Sequence, residues 1–118
     1  MKKILIIDDE KWWTDIFSLV LKNNEWQAVI CHDPYEAIDR VEEVKPSCIL
    51  LDFFLPHANA AGFINEISSH HDLREIPIIL CFTSELSSKV INPQVKAILH
   101  KPSLTPEIFI DIIKKVAI

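Results

Sequence analysis

The sequence predicts an α/β protein in which five parallel strands form one sheet with helices on both faces. Short apolar runs of strand length alternate along the chain with segments whose apolar residues recur at helical spacing. The strand runs are apolar almost throughout, which is typical of strands covered on both faces. Five such units in a row favour a parallel sheet with right-handed crossovers.

Local signals place the elements of the first half of the chain. After the first strand, a helix is predicted over residues 11–23, and an asparagine pair ends it. Its apolar residues at helical spacing are Trp12, Ile16, Phe17, Leu19 and Val20. Further strands are predicted at residues 27–31 and 48–53. Between them, Asp33 offers a helix N-cap and Pro34 occupies the first helical position.

The second half continues the same alternation. A helix is predicted over residues 61–69 and a strand over residues 78–82. A short, weak helix is predicted to begin near Glu85, and a strand follows at residues 95–100. Thr105, followed by proline and glutamate, opens the last helix.

Composition indicates one domain of ordinary size. The 118 residues carry a formal net charge of −5 and are 49% hydrophobic, which fits a single domain spanning residues 1–118. The absence of a Lys or Arg run argues against direct nucleic-acid binding and favours protein partners. No apolar run approaches the roughly 18 residues of a membrane span, so we expect a cytoplasmic protein. The cysteines at positions 31, 48 and 81 lie in or beside apolar strands and are expected to be buried thiols without a disulfide.

Polar groups follow four of the predicted strands. Asp8 and Asp9 follow the first, Asp52 the third, Thr83 the fourth and Lys101 the fifth. Because the carboxyl ends of parallel strands converge on one crevice, these groups are expected to meet there. Three carboxylates, a hydroxyl and an ammonium suit the binding of a divalent cation and a phosphoryl group.

Structural interpretations remain open for single residues. Asp8 or Asp9 could be the N-cap of the first helix. Thr83 could be an ordinary β-branched strand end, and Lys101 an exposed turn residue. Asp52 could be a strand-end turn residue, although a buried strand leading straight into a carboxylate disfavours this. Glu10 is interpreted as a solvated charge at a helix start, where it favours the helix dipole.

Two adjacent tryptophans begin the first helix. Trp12 and Trp13 lie about 100° apart around the helix axis. We therefore expect one to pack in the core and the other to lie near the acidic crevice. An exposed tryptophan that contacts a partner is the alternative.

These motifs, taken together, resemble a known family. Asp8-Asp9, Asp52 followed by Leu55-Pro56, Thr83-Ser84 and Lys101-Pro102, in that order on successive strands, resemble the response-regulator receiver domain of two-component signal transduction, the CheY-like fold. The resemblance covers the whole chain and implies a flavodoxin-like, doubly wound sheet of strand order 2-1-3-4-5. It also implies a switch or phosphorelay intermediate whose phosphoryl donor is a sensor histidine kinase or a histidine phosphotransfer protein, with a downstream protein partner.

The resemblance implies a role for each matching residue. Asp52 would attack the phosphohistidine and become an aspartyl phosphate, in a self-catalysed step rather than as a turnover enzyme. Thr83 and Lys101 would contact phosphoryl oxygens. Pro102 is expected to follow a cis peptide bond that aims the lysine into the crevice.

A magnesium ion is the expected cofactor. Its protein ligands would be Asp9, Asp52 and the backbone carbonyl of Phe54, with Asp8 bound directly or through water. Without the ion, the clustered carboxylates should repel one another and raise each other's pKa.

The sequence also departs from the family pattern. Ile98 stands three positions before Lys101, where many receivers have an aromatic residue that moves on activation. The spacing from Thr83 to Lys101 is short by about one helical turn. Both departures concern the output surface rather than the phosphoryl chemistry.

Two functions of other classes remain as alternatives. A receiver-shaped interaction module could work by binding alone, independently of phosphorylation, but the complete acidic set argues against it. A metal-dependent phosphatase of the haloacid type would need a second aspartate two positions after the first, where Phe54 stands. The chain also lacks a cap domain to enclose a substrate.

Overall fold

The structure is a computed structural model that describes residues 2–53, 60–83 and 92–117. Its strands are β1 (Lys3–Ile7), β2 (Gln27–Cys31), β3 (Cys48–Asp52), β4 (Ile78–Phe82) and β5 (Val95–His100). Its α-helices are α1 (Lys11–Asn23), α2 (Ala37–Val44), α3 (Ala60–Ser69) and α4 (Pro106–Val116), with 3-10 turns at Pro34–Glu36 and Lys101–Ser103. The strands pair in parallel in the order β2-β1-β3-β4-β5, which confirms the predicted flavodoxin-like sheet.

Helices cover both faces of the sheet. In β1, Ile4 and Ile6 pack into the core that contains residues of α1 and α4. Leu5 and Ile7 point the other way, into the core that contains residues of α2 and α3. All four side chains are fully buried. This two-sided burial is the reason why the strand sequences are apolar almost throughout.

The predicted helix signals operate as expected. Asp33 accepts a hydrogen bond from the backbone N–H of Tyr35 at 2.9 Å and so caps the first 3-10 turn. Thr105 accepts one from the N–H of Ile108 at 3.2 Å and caps α4. A proline occupies the first turn of both elements, where its missing N–H costs nothing.

The second helix, predicted to begin at Pro34, starts with a 3-10 turn over Pro34–Glu36 and becomes an α-helix at Ala37. The other predicted boundaries within the described residues differ from the observed ones by at most one residue. The third strand ends at Asp52 rather than Phe53, and the third helix begins at Ala60 rather than Ala61. The helix predicted to begin near Glu85 lies outside the described residues. No helix within the described ranges combines the length and apolar character needed to cross a membrane.

The apolar pattern of α1 matches its buried face only in part. Trp12 and Leu19 are 65% and 61% exposed. The buried side of the helix includes Thr14 and Leu21, which at 100° per residue lie roughly opposite Trp12. Thr14 is tolerated there because its hydroxyl donates to the carbonyl of Lys11 at 3.0 Å. Because a polar residue lies at the centre of the buried face, the spacing of apolar residues in the sequence did not indicate that face.

The three cysteines are buried free thiols, as predicted. Burial raises the pKa of Cys48 to about 12, and burial also raises the pKa of Cys31 and of Cys81. These thiols remain protonated at neutral pH and pack as small apolar side chains.

A buried glutamine ties the segment before β5 to the turn before β4. The Gln94 amide nitrogen donates to the carbonyls of Leu73 and Ile76 at 2.9 and 2.8 Å. Its amide oxygen accepts from the Ser68 hydroxyl at 2.7 Å, and its own N–H donates to Asn92. The side chain therefore satisfies polar groups of two segments, α3 and the turn before β4.

Gln94→Ala should lower the free energy of unfolding by about 1–3 kcal/mol, because two carbonyls in a buried setting lose their donor. Gln27→Ala is the matched control, since Gln27 is exposed at the start of β2, and it should cost less than about 0.5 kcal/mol. Urea unfolding followed by circular dichroism measures both. Equal losses in the two variants would contradict the importance of the buried amide.

Candidate functional site

The ends of β1 and β3 bring two predicted site residues side by side. Ile7 pairs with Leu51 in the parallel register, so Asp8 and Asp52 come next on neighbouring strands. Both aspartates are buried. The prediction that these carboxylates share one crevice is therefore consistent with the strand register.

The ends of β4 and β5 supply the other two predicted residues. Phe82 pairs with His100, so Thr83 and Lys101 each lie one position beyond a paired residue at the same edge of the sheet. Thr83 is exposed, whereas Lys101 is buried. The interpretation of Lys101 as an exposed turn residue is wrong.

Lys101 forms a buried ion pair across the sheet. Its Nζ atom donates to Oδ2 of Asp8 at 2.7 Å and lies 3.7 Å from Oδ2 of Asp52. The predicted cis bond before Pro102 is wrong, because the Lys101–Pro102 peptide is trans. In this trans turn the lysine stem already enters the crevice, so the side chain reaches both carboxylates.

The balance of burial and charge keeps Lys101 protonated. Burial acts to lower its pKa, but the hydrogen bond that it donates to Asp8 and the charges of Asp52 and Asp8 outweigh burial and raise the pKa above its usual value. The side chain is therefore a permanent cation at neutral pH.

Asp8 also fixes the chain that leads into α1. Its Oδ1 atom accepts a hydrogen bond from the backbone N–H of Glu10 at 2.9 Å. The N-cap position of α1 is Glu10, and no side-chain capping bond is made there. The interpretation of Asp8 as the helix N-cap is therefore wrong, and the carboxylate instead connects this turn with Lys101.

Four acidic residues form one cluster at this edge. Each of Asp8, Asp9, Glu10 and Asp52 offers a carboxylate oxygen, and these oxygens all lie within 4.8 Å of one another. The sequence interpretation of Glu10 as a solvated helix-start charge missed its place in this group, although it is exposed. Three consecutive acidic residues after a buried strand were the available signal. Phe54, the other predicted ligand, lies outside the described residues.

The cluster fits a hard divalent cation. All of its donors are carboxylate oxygens, the ligand type that Mg²⁺ and Ca²⁺ prefer. Lys101 compensates only part of the negative charge that the four carboxylates carry. A cation bound among them would relieve the remaining repulsion.

An aromatic ring of α1 borders the site. The Lys101 Nζ atom lies over the Trp13 ring, 5.3 Å from its centroid. The prediction that one tryptophan lies near the crevice is consistent with this contact. The prediction that the other packs in the core is wrong, because Trp12 is exposed and touches Trp13 edge-on at 4.8 Å.

Ile98 lies on the edge strand β5 and is 51% exposed. Its neighbours along the strand alternate in exposure, with Leu99 buried in the core that includes α4. An aliphatic side chain in this position is already largely solvated and carries no ring that could exchange between a buried and an exposed position.

Residues 4–113 match the family model described as the response regulator receiver domain. The chain is 32% identical over 119 residues to a protein-glutamate methylesterase/protein-glutamine glutaminase of Oleidesulfovibrio alaskensis, covering 92% of this chain and 32% of that protein. It is 30% identical over 79 residues to the phosphate regulon transcriptional regulatory protein PhoB of Escherichia coli, covering 67% of this chain and 34% of PhoB. The chain thus spans about a third of the length of these curated relatives.

Solved structures share the fold at lower identity. A putative response regulator from Chloroflexus aurantiacus superimposes with a TM-score of 0.88 at 19% identity, covering 98% of this chain and 97% of that one. The receiver domain of a sensor histidine kinase from Pseudomonas aeruginosa, described with a magnesium ion coordinated in its active site cleft, gives a TM-score of 0.86 at 20% identity. The coverage is again 98% and 97%.

Two ion pairs of equal length offer a direct test of burial. Lys101–Asp8 and Lys11–Asp15 both measure 2.7 Å, but the first pair is 1% and 2% exposed and the second 81% and 64%. Lys101→Met should lower the free energy of unfolding by about 3–5 kcal/mol, because it leaves buried carboxylates without their cation. Lys11→Met should cost less than about 1 kcal/mol.

Urea unfolding in the presence of a chelator measures both variants without help from divalent cations. A loss for Lys101→Met no larger than that for Lys11→Met would show that the buried pair is not needed to compensate the acidic cluster.

Proposed function

Because this chain belongs to the family of response regulator receiver domains, we propose that Asp52 accepts a phosphoryl group from a phosphohistidine of a partner protein. The observation that carries this assignment is the position of Asp52 at the end of the central strand, with its Oδ2 atom 3.7 Å from the Lys101 ammonium. The carboxylate can act as the nucleophile, and the fixed cation beside it can compensate the negative charge of an incoming phosphoryl group.

The proposed step transfers one phosphoryl group between two side chains. A carboxylate oxygen of Asp52 attacks the phosphorus in line while the bond from phosphorus to the donor imidazole nitrogen breaks. The electron pair of that bond remains on the imidazole, which takes up a proton from solvent. Hydrolysis of the resulting acyl phosphate returns the carboxylate and inorganic phosphate, so the domain resets itself without acting as a turnover enzyme.

Lys101 and Thr83 are the proposed phosphoryl contacts. The ammonium is already held by Asp8 at 2.7 Å, so it meets the phosphoryl oxygens as a preorganised charge. Thr83 follows β4 at the level of Lys101 and is exposed, which leaves its hydroxyl accessible to another phosphoryl oxygen.

Mg²⁺ is the proposed cofactor of the acidic cluster. Asp9 and Asp52 are the proposed direct side-chain ligands, with the backbone carbonyl of Phe54. Both oxygens of Asp8 accept hydrogen bonds, from Lys101 and from the Glu10 N–H, so Asp8 is proposed to act mainly through water. When bound, the ion would neutralise charge shared between the phosphoryl oxygens and the carboxylates. The magnesium named for the similar Pseudomonas aeruginosa domain supports this choice.

We propose that residues 1–118 act as one receiver domain whose donor is a sensor histidine kinase or a histidine phosphotransfer protein. A downstream protein partner would read the phosphorylated state. Three buried, unpaired thiols are consistent with a reducing compartment and support the cytoplasm as the proposed location.

The alternative functions explain less. A receiver-shaped module that works by binding alone has no use for a buried lysine paired with two carboxylates beside an acidic cluster. A haloacid-type phosphatase would require an aspartate where Phe54 stands. Phosphoryl acceptance uses every one of these groups.

Asp52→Asn should abolish phosphoryl uptake, because an amide oxygen is too weak a nucleophile to replace the carboxylate. The protein is incubated with acetyl phosphate and Mg²⁺, and intact-protein mass spectrometry counts the phosphoryl groups, with one expected per chain. Asp15→Asn, on the exposed side of α1, is the matched control and should label normally. Full labelling of the Asp52→Asn variant would falsify the assignment.

Mg²⁺ should raise the melting temperature, because a cation that binds only the folded cluster stabilises it by mass action. A concentration 100 times the dissociation constant would add about 2.7 kcal/mol. Asp9→Ala should remove most of this rise, whereas Asp39→Ala, on the exposed side of α2, should leave it intact. A rise of unchanged size in Asp9→Ala would locate the cation elsewhere.

A further inference from the structure

The contact between Trp13 and Lys101 adds a fourth group to the set around the lysine. The Nζ atom lies 5.3 Å from the Trp13 ring centroid, in addition to its contacts with Asp8 and Asp52. A cation over an indole face is attracted by the ring quadrupole, and most strongly where water is excluded. The Lys101 side chain is 1% exposed, so water is excluded from this contact.

The ring is held in position from behind. Trp13 stacks on Phe17 with centroids 5.5 Å apart, and Phe17 packs on Phe109 of α4 at 4.8 Å. Phe17 and Phe109 are each 1% exposed. The indole is thus supported by the core that α1 and α4 share, while Trp13 itself is half-buried at the border of the site.

Within the part of the chain that the structure describes, the Lys101 ammonium makes fewer hydrogen bonds than it has donors. An ammonium has three N–H donors. Among contacts between described residues, Lys101 uses one in a hydrogen bond, to Asp8, and its 3.7 Å separation from Asp52 is longer than a hydrogen bond. A ring face beside these donors attracts the charge without accepting an oxygen-type hydrogen bond, and it occupies space that water would otherwise take.

We propose that Trp13 is a positioning residue for phosphoryl transfer, which keeps the Lys101 ammonium desolvated and aimed at the place where the phosphoryl oxygens arrive. This inference rests on the proposed function of Asp52. Among the described residues of the resting site, the ammonium has the ring contact and one hydrogen bond, to Asp8, while the Asp52 oxygen lies at 3.7 Å, beyond hydrogen-bond distance. The arriving phosphoryl oxygen supplies a further oxygen contact, so the stabilisation is greater in the transition state than before it. With an aliphatic residue at position 13, water solvates the ammonium first and must be displaced.

The test compares Trp13→Leu with Trp13→Phe and with Trp26→Leu. Trp26 lies at the amino edge of the sheet, where Lys2 approaches its ring at 5.7 Å, so Trp26→Leu removes a similar contact away from the site. With acetyl phosphate and saturating Mg²⁺, Trp13→Leu should be phosphorylated about 2- to 30-fold more slowly. Trp13→Phe should recover most of the rate, and Trp26→Leu should match the unmodified protein.

The response to Mg²⁺ distinguishes a positioning role of Trp13 from general damage to the site. The rise in melting temperature with Mg²⁺ should be the same in Trp13→Leu as in the unmodified protein, because the carboxylates are untouched. Equal slowing of the Leu and Phe variants, or no slowing in Trp13→Leu, would overturn the proposal while leaving Asp52 as acceptor. If the unmodified protein takes up no phosphoryl group at all, the proposed function itself fails.

Fluorescence provides a readout that does not depend on the Leu variant folding. In a chain carrying Trp12→Phe and Trp26→Phe, Trp13 is the single tryptophan, and its emission should change when beryllofluoride, a phosphoryl mimic, is added with Mg²⁺. A chain that keeps only Trp26 should show no change. An unaltered Trp13 emission on addition of the mimic would contradict the coupling of the ring to the lysine.

Discussion

The buried ion pair between Lys101 and Asp8 constrains the whole carboxyl edge of the sheet. Asp8 follows β1, whereas Lys101 follows the edge strand β5, and β3 and β4 lie between them. Their 2.7 Å contact therefore crosses two strands, and it requires those strands to end below it with Asp52 facing the ammonium. Leaving either charge buried alone costs far more than pairing them. Folding thus favours the same arrangement of charges that phosphoryl chemistry requires.

The ion pair leaves part of the negative charge of the acidic cluster uncompensated. One lysine faces four carboxylates, and the two oxygens of Asp8 are already engaged by Lys101 and by the Glu10 N–H. The exposed carboxylates of Asp9 and Glu10 are less constrained, so an incoming cation meets them first. The order Asp-Asp-Glu after a buried strand accounts for both roles. The first carboxylate belongs to the buried ion pair that stabilises the fold, and the two exposed carboxylates after it remain accessible to a cation.

The sequence predicted the sheet well because each strand is a short apolar run with a turn signal at its ends, and the crevice followed from parallel topology alone. The errors concern side-chain direction. Helical periodicity misplaced the buried face of α1, because Thr14 satisfies its own hydroxyl and is buried while Trp12 is exposed. Glu10 joins the acidic cluster only through the turn that its N–H makes with Asp8, and the trans geometry at Pro102 is a property of the folded turn.

The directions of the side chains around Lys101 determine which neighbouring residues a movement of the lysine would displace. Ile98, three positions before Lys101, is aliphatic and half-exposed on the edge strand. The lysine instead touches the indole of Trp13, which stacks on Phe17, which in turn packs on α4. Rings stacked in direct contact can pass a displacement from one side chain to the next. We therefore expect a shift of the Lys101 ammonium to displace first the side chains between α1 and α4, on the side of the sheet away from α2 and α3.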